Sequence, residues 1–566
     1  MVACSNIIYL LLVITVESFS PVWSHERRGF LHAIRIQPTV GEPWPKPQSI
    51  LTTTQRLTVN PKTFHFLMNE TSQRCSLLTS AFDRYYRIIF FPQTYMPYIR
   101  RSSSSFTTNN DIYQTKINAS LRQKYPSSIT NISLLMNLYV NVEQPCDEWP
   151  SLETNESYTL FIKNNHAALN AITVWGALRG LETFSQLIYT DDDLLFAINE
   201  TIINDFPRFQ HRGLLLDTSR HFISVNTIKM NLEAMAQSKM NVFHFHIVDD
   251  QSFPYESRTY PELSNKGAYN KQDAYSQIDI ADLIEFARQR GIRVLIEFDS
   301  PGHTLSWGQA IDILTKCYSE GKPTGELGPM DPSRNSTFEF LKNFFNEIAS
   351  VFPDGYVHLG GDEVSFECWR SNPAIKEFMR QMKFGLDYAL LEQYYMQTLV
   401  DIVNATGKGY AVWQEIIDHH VKIKSNTLVE VWKEPYSLEL ARVTNLGYRA
   451  ILSACWYLNL ISYGQDWFKY YRCDPHNFIG TEKQKQLVVG GEACMWGEYV
   501  DSTNVIPITW PRASVVAERL WSSADVKEPK LAIPRLEEQR CRYLRRGIPA
   551  APINGPSFCN TEDRSL

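Results

Sequence analysis

From Pro207 onward, short apolar or β-branched runs recur, and each ends in charged, histidine or glycine residues. They are RGLLLDTS (212–219), NVFHFHIVDD (241–250), RVLIEFDSPGH (293–303), YVHLGGDE (356–363), GYAVWQE (409–415), TLVEVWKE (427–434), YRAILSACWY (448–457) and QLVVGGEACMWGE (486–498). Such runs read as strands. Amphipathic stretches lie between them, among them IADLIEFARQRG (280–291), KEFMRQM (376–382) and LLEQYYMQTLVDIVNATG (390–407). Eight strands with mostly helical connections predict a (β/α)₈ TIM barrel over 207–566, with only a brief link between the fifth and sixth strands. A doubly wound sheet is the alternative, and the lack of a nucleotide-type glycine loop counts against it.

The preceding segment, 25–206, has a different texture. RYYRIIFF (84–91) and ISLLMNLYVNV (132–142) look strand-like, and HAALNAITVWGALRGLETFSQLIY (166–189) has apolar residues at helical spacing. Strands followed by a helix predict a smaller α+β domain, with no cluster of polar residues that suggests a site. Residues 1–24 read as a signal peptide. The apolar run Ile7–Val16 is too short to span a bilayer but suits secretion, with cleavage between Ser18 and Ser24. No other stretch is long and apolar enough for a membrane helix, so a soluble mature protein is expected.

Sequons at Asn69, Asn118, Asn131, Asn155, Asn199, Asn335 and Asn404 agree with secretion. Of ten cysteines, Cys4 falls in the signal, and nine leave at least one thiol unpaired. The expected pairs are Cys75–Cys146, Cys317–Cys368, Cys541–Cys559 and Cys455–Cys473, with Cys494 free and buried, although spacing alone does not establish that connectivity. None of these cysteines forms a CxxC or Cys/His cluster, so no structural zinc is expected. The 566 residues carry 55 Lys+Arg against 61 Asp+Glu, a net charge of −6, and no basic block. Nucleic acid is therefore not an expected partner.

Barrel active sites lie at the C-terminal ends of the strands. Those ends carry Asp249/Asp250, Asp299/His303, Asp362/Glu363, Trp413, Trp432, Trp456/Tyr457 and Trp496/Glu498. Carboxylates for hydroxyls and aromatic faces for C–H surfaces suit a sugar. In HLGGDE (358–363) the two glycines permit an irregular backbone, so that the adjacent carboxylates Asp362 and Glu363 can both face the barrel mouth. Two carboxyls in unlike surroundings are the usual apparatus of glycosidic cleavage.

HLGGDE, HRGLLLDTSRHF (211–222), FHIVDDQSFPYES, FDSPGHT, AVWQE, WYLNLISYG and GGEACMWGEYVD together resemble the β-N-acetylhexosaminidases of glycoside hydrolase family 20, most of all the lysosomal animal subunits. The resemblance spans the barrel and is weaker before it, where the family has a non-catalytic α+β domain. It implies substrate-assisted, retaining exo-hydrolysis of terminal N-acetyl-β-glucosamine or -galactosamine, without a cofactor or metal. It implies Glu363 as acid/base and Asp362 as the partner of the acetamido N–H. Tyr457 matches the donor to the acetamido oxygen, and Trp413, Trp432 and Trp496 match the pocket walls. Arg212 and Glu498 are expected on O3 and O4, Asn459 on the O6 side, and His303 with Asp249 behind Glu363. A glycan or glycolipid substrate, a homo- or heterodimer, and a lysosomal or secreted location follow from the same resemblance.

One position departs from the family's acid-accepting subunits. Asn459 is followed by Leu460 where they carry arginine, while Glu434 matches them. With no cation there to pair an anion, neutral substrates are expected. Two rival readings are a catalytically inactive, lectin-like glycan-binding protein and a metal-dependent amidohydrolase barrel built on His244 and His246. The retained Glu363 argues against the first. The lack of further histidines at other strand ends, beyond His303, argues against the second.

Overall fold

The computed structural model describes residues 34–35, 41–68, 75–92, 133–190, 195–462 and 464–559. The expected signal peptide, Cys4 and the sequons Asn69, Asn118 and Asn131 lie outside these residues.

Eight parallel strands close into a barrel in sequence order. We number them β1 (His211–Asp217), β2 (Val242–Val248), β3 (Arg293–Phe298), β4 (Tyr356–His358), β5 (Gly409–Trp413), β6 (Leu428–Val431), β7 (Arg449–Leu452) and β8 (Val488–Met495). Every residue of β1, β2, β3 and β8 is buried. Strands covered on both faces have no solvent side to alternate toward, which is why they read as unbroken apolar runs. The surrounding helices start on polar caps: Ser224 accepts from Thr227 N, Ser276 forms a capping box with Asp279, and Asn372 accepts from Ala374 N. Only the four-residue helix Glu415–Asp418 and a turn join β5 to β6, matching the brief link expected there.

The N-terminal domain is a mixed eight-stranded sheet. Among the described residues two helices, Ser76–Phe90 and Val174–Leu187, share one hydrophobic core with it. RYYRIIFF is not a strand here but the last turns of the first helix. Its apolar residues join Leu77, Leu78 and Ala81 at helical spacing, and burial of Tyr85, Ile88 and Ile89 outweighs their local β preference. Likewise, His166–Ala171 is a strand that alternates exposed and buried positions, and helix begins only after the Thr173 cap.

Helix Val174–Leu187 is buried on all sides because the barrel covers the face its own sheet leaves open. Arg179 Nη1 and Nη2 donate to the carbonyls of Arg290 and Gly291 at 3.0 and 2.6 Å, beside the N-terminal end of the barrel. The four expected disulfides are present, and Cys494 is free and buried. Cys317–Cys368 ties the hairpin 314–330, which follows β3, to the short helix just beyond Glu363. No helix among the described residues is long and apolar enough to cross a membrane.

Candidate active site

The loop leaving β4 holds the two central carboxylates in an unusual backbone. Gly360 and Gly361 have φ of +66° and +97°, and Glu363 itself has φ of +51°. A left-handed non-glycine residue costs free energy and persists only where its surroundings fix it. Here the fixing contacts are specific. His358 Nδ1 accepts the Gly360 N–H at 3.1 Å, and Asp299 Oδ1 accepts the Gly361 N–H at 2.8 Å. The outcome is two adjacent carboxyls in different settings: Asp362 is 9% exposed, whereas the Glu363 side chain is 60% exposed at the mouth.

His303, at φ +55° in the loop after β3, faces both. Its Nε2 lies 3.9 Å from Asp362 Oδ2 and 3.8 Å from Glu363 Oε2, and its Nδ1 donates to Asp249 Oδ1 at 3.2 Å. Burial would depress the imidazole pKa, but the Asp249 hydrogen bond and the charges of Asp299 and Asp362 push it up to about 11. His303 is thus a cation at neutral pH. Asp249 is buried too, yet hydrogen bonds from His246 and His303 hold it well below the usual carboxylate range. Burial raises Asp362 to about 6, against the pull of His303. Its partner Asp299 is raised further, by burial and then by the Asp362 charge. Asp299 and Asp362 therefore titrate as a coupled pair.

Four aromatic rings form a continuous wall beside these groups. Trp413 and Trp496 have centroids 6.1 Å apart, Trp496 and Tyr457 6.3 Å, and Tyr457 stacks on Trp432 at 6.3 Å. Trp413 Nε1 donates to Glu297 and Trp432 Nε1 to Glu415, at 2.9 and 3.0 Å, which fixes both indoles. Leu215 and Cys494 pack beneath the wall. A cavity of about 300 Å³ opens beside Glu363, between Phe366, Trp432 and Lys433, at the small end of the range for ligand pockets. Asp362 Oδ1 and Asn459 Oδ1 are buried with no hydrogen-bond partner among the described residues. Glu498 is exposed two residues beyond Trp496.

Arg212 is not in this assembly. It sits at the start of β1, at the opposite end of the barrel, fully buried, with Nη2 on Glu156 of the N-terminal domain at 2.6 Å and Nε on the Lys239 carbonyl at 2.8 Å. Eight residues on, past the end of β1, Arg220 occupies the rim. It pairs with Asp217 and Asp249 at 2.9 and 2.8 Å and lies 5.2 Å over the Trp496 ring. The rule that places barrel sites at C-terminal strand ends separates the two arginines, Arg212 at the start of β1 and Arg220 beyond it.

His244 and His246 point into the barrel interior. His244 lies between Glu492 and Glu297 at 2.8 and 3.0 Å, and His246 between Glu297 and Asp249 at 2.6 and 3.0 Å. Donor atoms of His244, Glu297 and His358 all lie within 4.8 Å of one another, so these residues could hold a cation. The spacings within the two histidine sandwiches are those of His–carboxylate hydrogen bonds.

The sequence model described as "Glycosyl hydrolase family 20, catalytic domain" matches residues 209–524, and one described as "beta-acetyl hexosaminidase like" matches 43–187. The chain is 50% identical to a Bos taurus beta-hexosaminidase subunit alpha over 529 residues, 92% of this chain and 95% of that protein. It is 49% identical to a Homo sapiens beta-hexosaminidase subunit beta over 525 residues, covering 92% and 90%. Among solved structures, a Flavobacterium johnsoniae chitobiase superposes with a TM-score of 0.74 at 29% identity, covering 90% of this chain and 73% of that one. With its catalytic barrel matched from end to end, the chain belongs to glycosyl hydrolase family 20 and is a β-N-acetylhexosaminidase that works by substrate-assisted catalysis.

Proposed function

We propose that Glu363 is the general acid/base and Asp362 the group that holds the substrate's acetamido N–H. The observation that carries this is the left-handed loop that sets an exposed and a buried carboxyl at nearly equal distance from the His303 cation, beside the aromatic wall. In the first step the acetamido oxygen attacks C1 and the C1–O bond breaks. Glu363 gives its proton to the departing oxygen. Asp362, ionised, accepts the N–H and balances the positive charge of the oxazolinium. Glu363 then takes a proton from water, which attacks C1 and reopens the ring with retention.

The aromatic wall of Trp413, Trp432 and Trp496 encloses the acetamido methyl, and the Tyr457 hydroxyl donates to its oxygen. Arg220, rather than Arg212, takes the sugar hydroxyls together with Glu498, and Asn459 faces the O6 side. Neutral glycans or glycolipids are the preferred substrates, since Leu460 is 62% exposed where a cation would be needed. The animal relatives are named as subunits, which supports a dimer. Asn155 and Asn335 are exposed sequons, and with the N-terminal leader they support a glycoprotein of the lysosome or the secreted space.

The test is Glu363→Gln. Turnover of substrates with poor leaving groups should fall by about 10²–10⁴-fold or more, and an activated leaving group should suffer less in the first step. Near wild-type turnover on both would refute the role.

A further inference from the structure

Inside the barrel, one side chain touches both halves of the site. Glu297, the penultimate residue of β3, is fully buried. Its Oε1 accepts from Trp413 Nε1 at 2.9 Å, and its Oε2 accepts from His246 Nδ1 at 2.6 Å and from His244 Nε2 at 3.0 Å. From His246 the contacts run on through Nε2 to Asp249 Oδ2 at 3.0 Å, from Asp249 Oδ1 to His303 Nδ1 at 3.2 Å, and from His303 Nε2 to Glu363 at 3.8 Å. We infer that Glu297 is a positioning residue that couples the wall of the acetamido pocket to the acid, holding Trp413 with one oxygen and, through His246 and Asp249, the His303 cation with the other. The inference rests on the assignment of Glu363 as acid/base and deepens it.

The physical reason is that neither nitrogen of His246 faces anything but a carboxylate. With both N–H groups engaged the ring is an imidazolium, and its orientation is fixed from two sides. Burial would depress its pKa, but Glu297 and Asp249 push it up to about 10. The other charged groups that bear on it are Asp217 on β1, with Arg220 bound to both Asp217 and Asp249, and the ring of Trp496, just past β8, lies 4.8 Å from the His246 ring. Glu297 in turn faces His244, which carries Glu492 and Glu430 at 2.8 and 3.7 Å, and His358 at 3.1 Å. Among the described residues no other carboxylate hydrogen-bonds both a wall tryptophan and a histidine of this chain of contacts. A Gln at 297 keeps the size and can still accept from Trp413, but it removes the charge that keeps His246 protonated.

The test compares Glu297→Gln with the wild type in kcat/KM against pH, on 4-nitrophenyl N-acetyl-β-glucosaminide and on the methyl glycoside of the same sugar. The basic limb should move toward acid by about one unit, a tenfold loss at a fixed pH on that limb. The loss should be larger for the methyl glycoside, whose departure needs the proton most. His246→Gln can still donate to Asp249 but cannot titrate, so it should lose activity on the methyl glycoside by a similar factor at every pH. It also serves if Glu297→Gln does not fold. Trp413→Phe should weaken binding of N-acetylglucosamine without moving the limb. Folded variants at 297 or 246 with the wild-type profile and leaving-group dependence would overturn the inference. Glu363→Gln, run alongside, separates the cases. If it stays active the underlying assignment falls, and if it is inactive on the methyl glycoside while the 297 and 246 variants behave as wild type, only the coupling falls.

Discussion

Asp299 fills the space that any side chain at Gly360 would need: an ideal Cβ built on Gly360 lies 1.7 Å from Asp299 Oδ1. The same carboxylate oxygen holds the Gly361 N–H, so the glycine and the aspartate together set the path of the chain into Asp362 and Glu363. Gly360→Ala adds both this clash and a left-handed alanine, the latter costing about 1–2 kcal/mol. The expected outcome is a lower melting temperature and a kcat reduced roughly 10²-fold, the scale of a catalytic group displaced by an ångström. A melt and a steady-state assay on the purified variant check both.

The two arginines of the first strand region should separate cleanly. Arg220→Lys keeps a charge but loses the planar fork over Trp496, and KM should rise at least about tenfold, the worth of one lost charge-assisted hydrogen bond. Arg212→Met leaves a buried carboxylate with one fewer partner and should cost about 3 kcal/mol of stability with KM unchanged. Chemical denaturation and KM measured on the same preparations decide. If Arg212→Met raises KM while leaving stability intact, the placement of the two residues is wrong.

Stability should depend on pH through His303. Its folded pKa is raised from 6.5 to about 11, so the native state binds the proton more tightly than the unfolded chain. That contribution is complete below about pH 6.5 and fades as pH rises toward 11. Between pH 6.5 and 8.5 the slope amounts to at most about 2 kcal/mol. Calorimetry should show the melting temperature of the wild type falling over that interval, and that of His303→Gln falling less. Parallel curves would show that the imidazole is not the cation described.

Charge on the substrate should matter at position 460. Leu460 offers no partner to a 6-sulfate, and Glu434 is exposed. A charge-assisted hydrogen bond to arginine is worth about 1.5–3 kcal/mol, so the 6-sulfated glucosaminide should show kcat/KM at least about tenfold below the neutral one. Leu460→Arg should narrow the gap, more so at low salt. Equal rates on both substrates in the wild type would mean that another cation lines the rim.

The barrel was legible because parallel buried strands leave unbroken apolar runs, each closed by the polar residues that line the mouth, as NVFHFHIVDD does. The bent loop that carries Asp362 and Glu363 was legible because two glycines precede the two carboxylates, and both glycines do take positive φ. What failed was tertiary. RYYRIIFF is rich in strand formers, and only the neighbours that bury Tyr85 and Ile88 make it a helix. Arg212 and Arg220 sit in one motif and differ only in which end of β1 they flank. Glu297 gave no signal at all, since a lone glutamate in an apolar run shows neither its burial nor the three histidines around it.

The account stands most directly on the substrate's own acetamido group as nucleophile. The decisive measurement is the rate on 4-nitrophenyl N-acetyl-β-glucosaminide against 4-nitrophenyl β-glucoside, which share a leaving group and differ only at C2. Without its internal nucleophile, the glucoside should be cleaved at least about 10⁵-fold more slowly, the low end of the effective molarity of a well-placed internal nucleophile. Comparable rates on the two substrates would mean that the protein supplies the nucleophile, and the mechanism described here would be wrong.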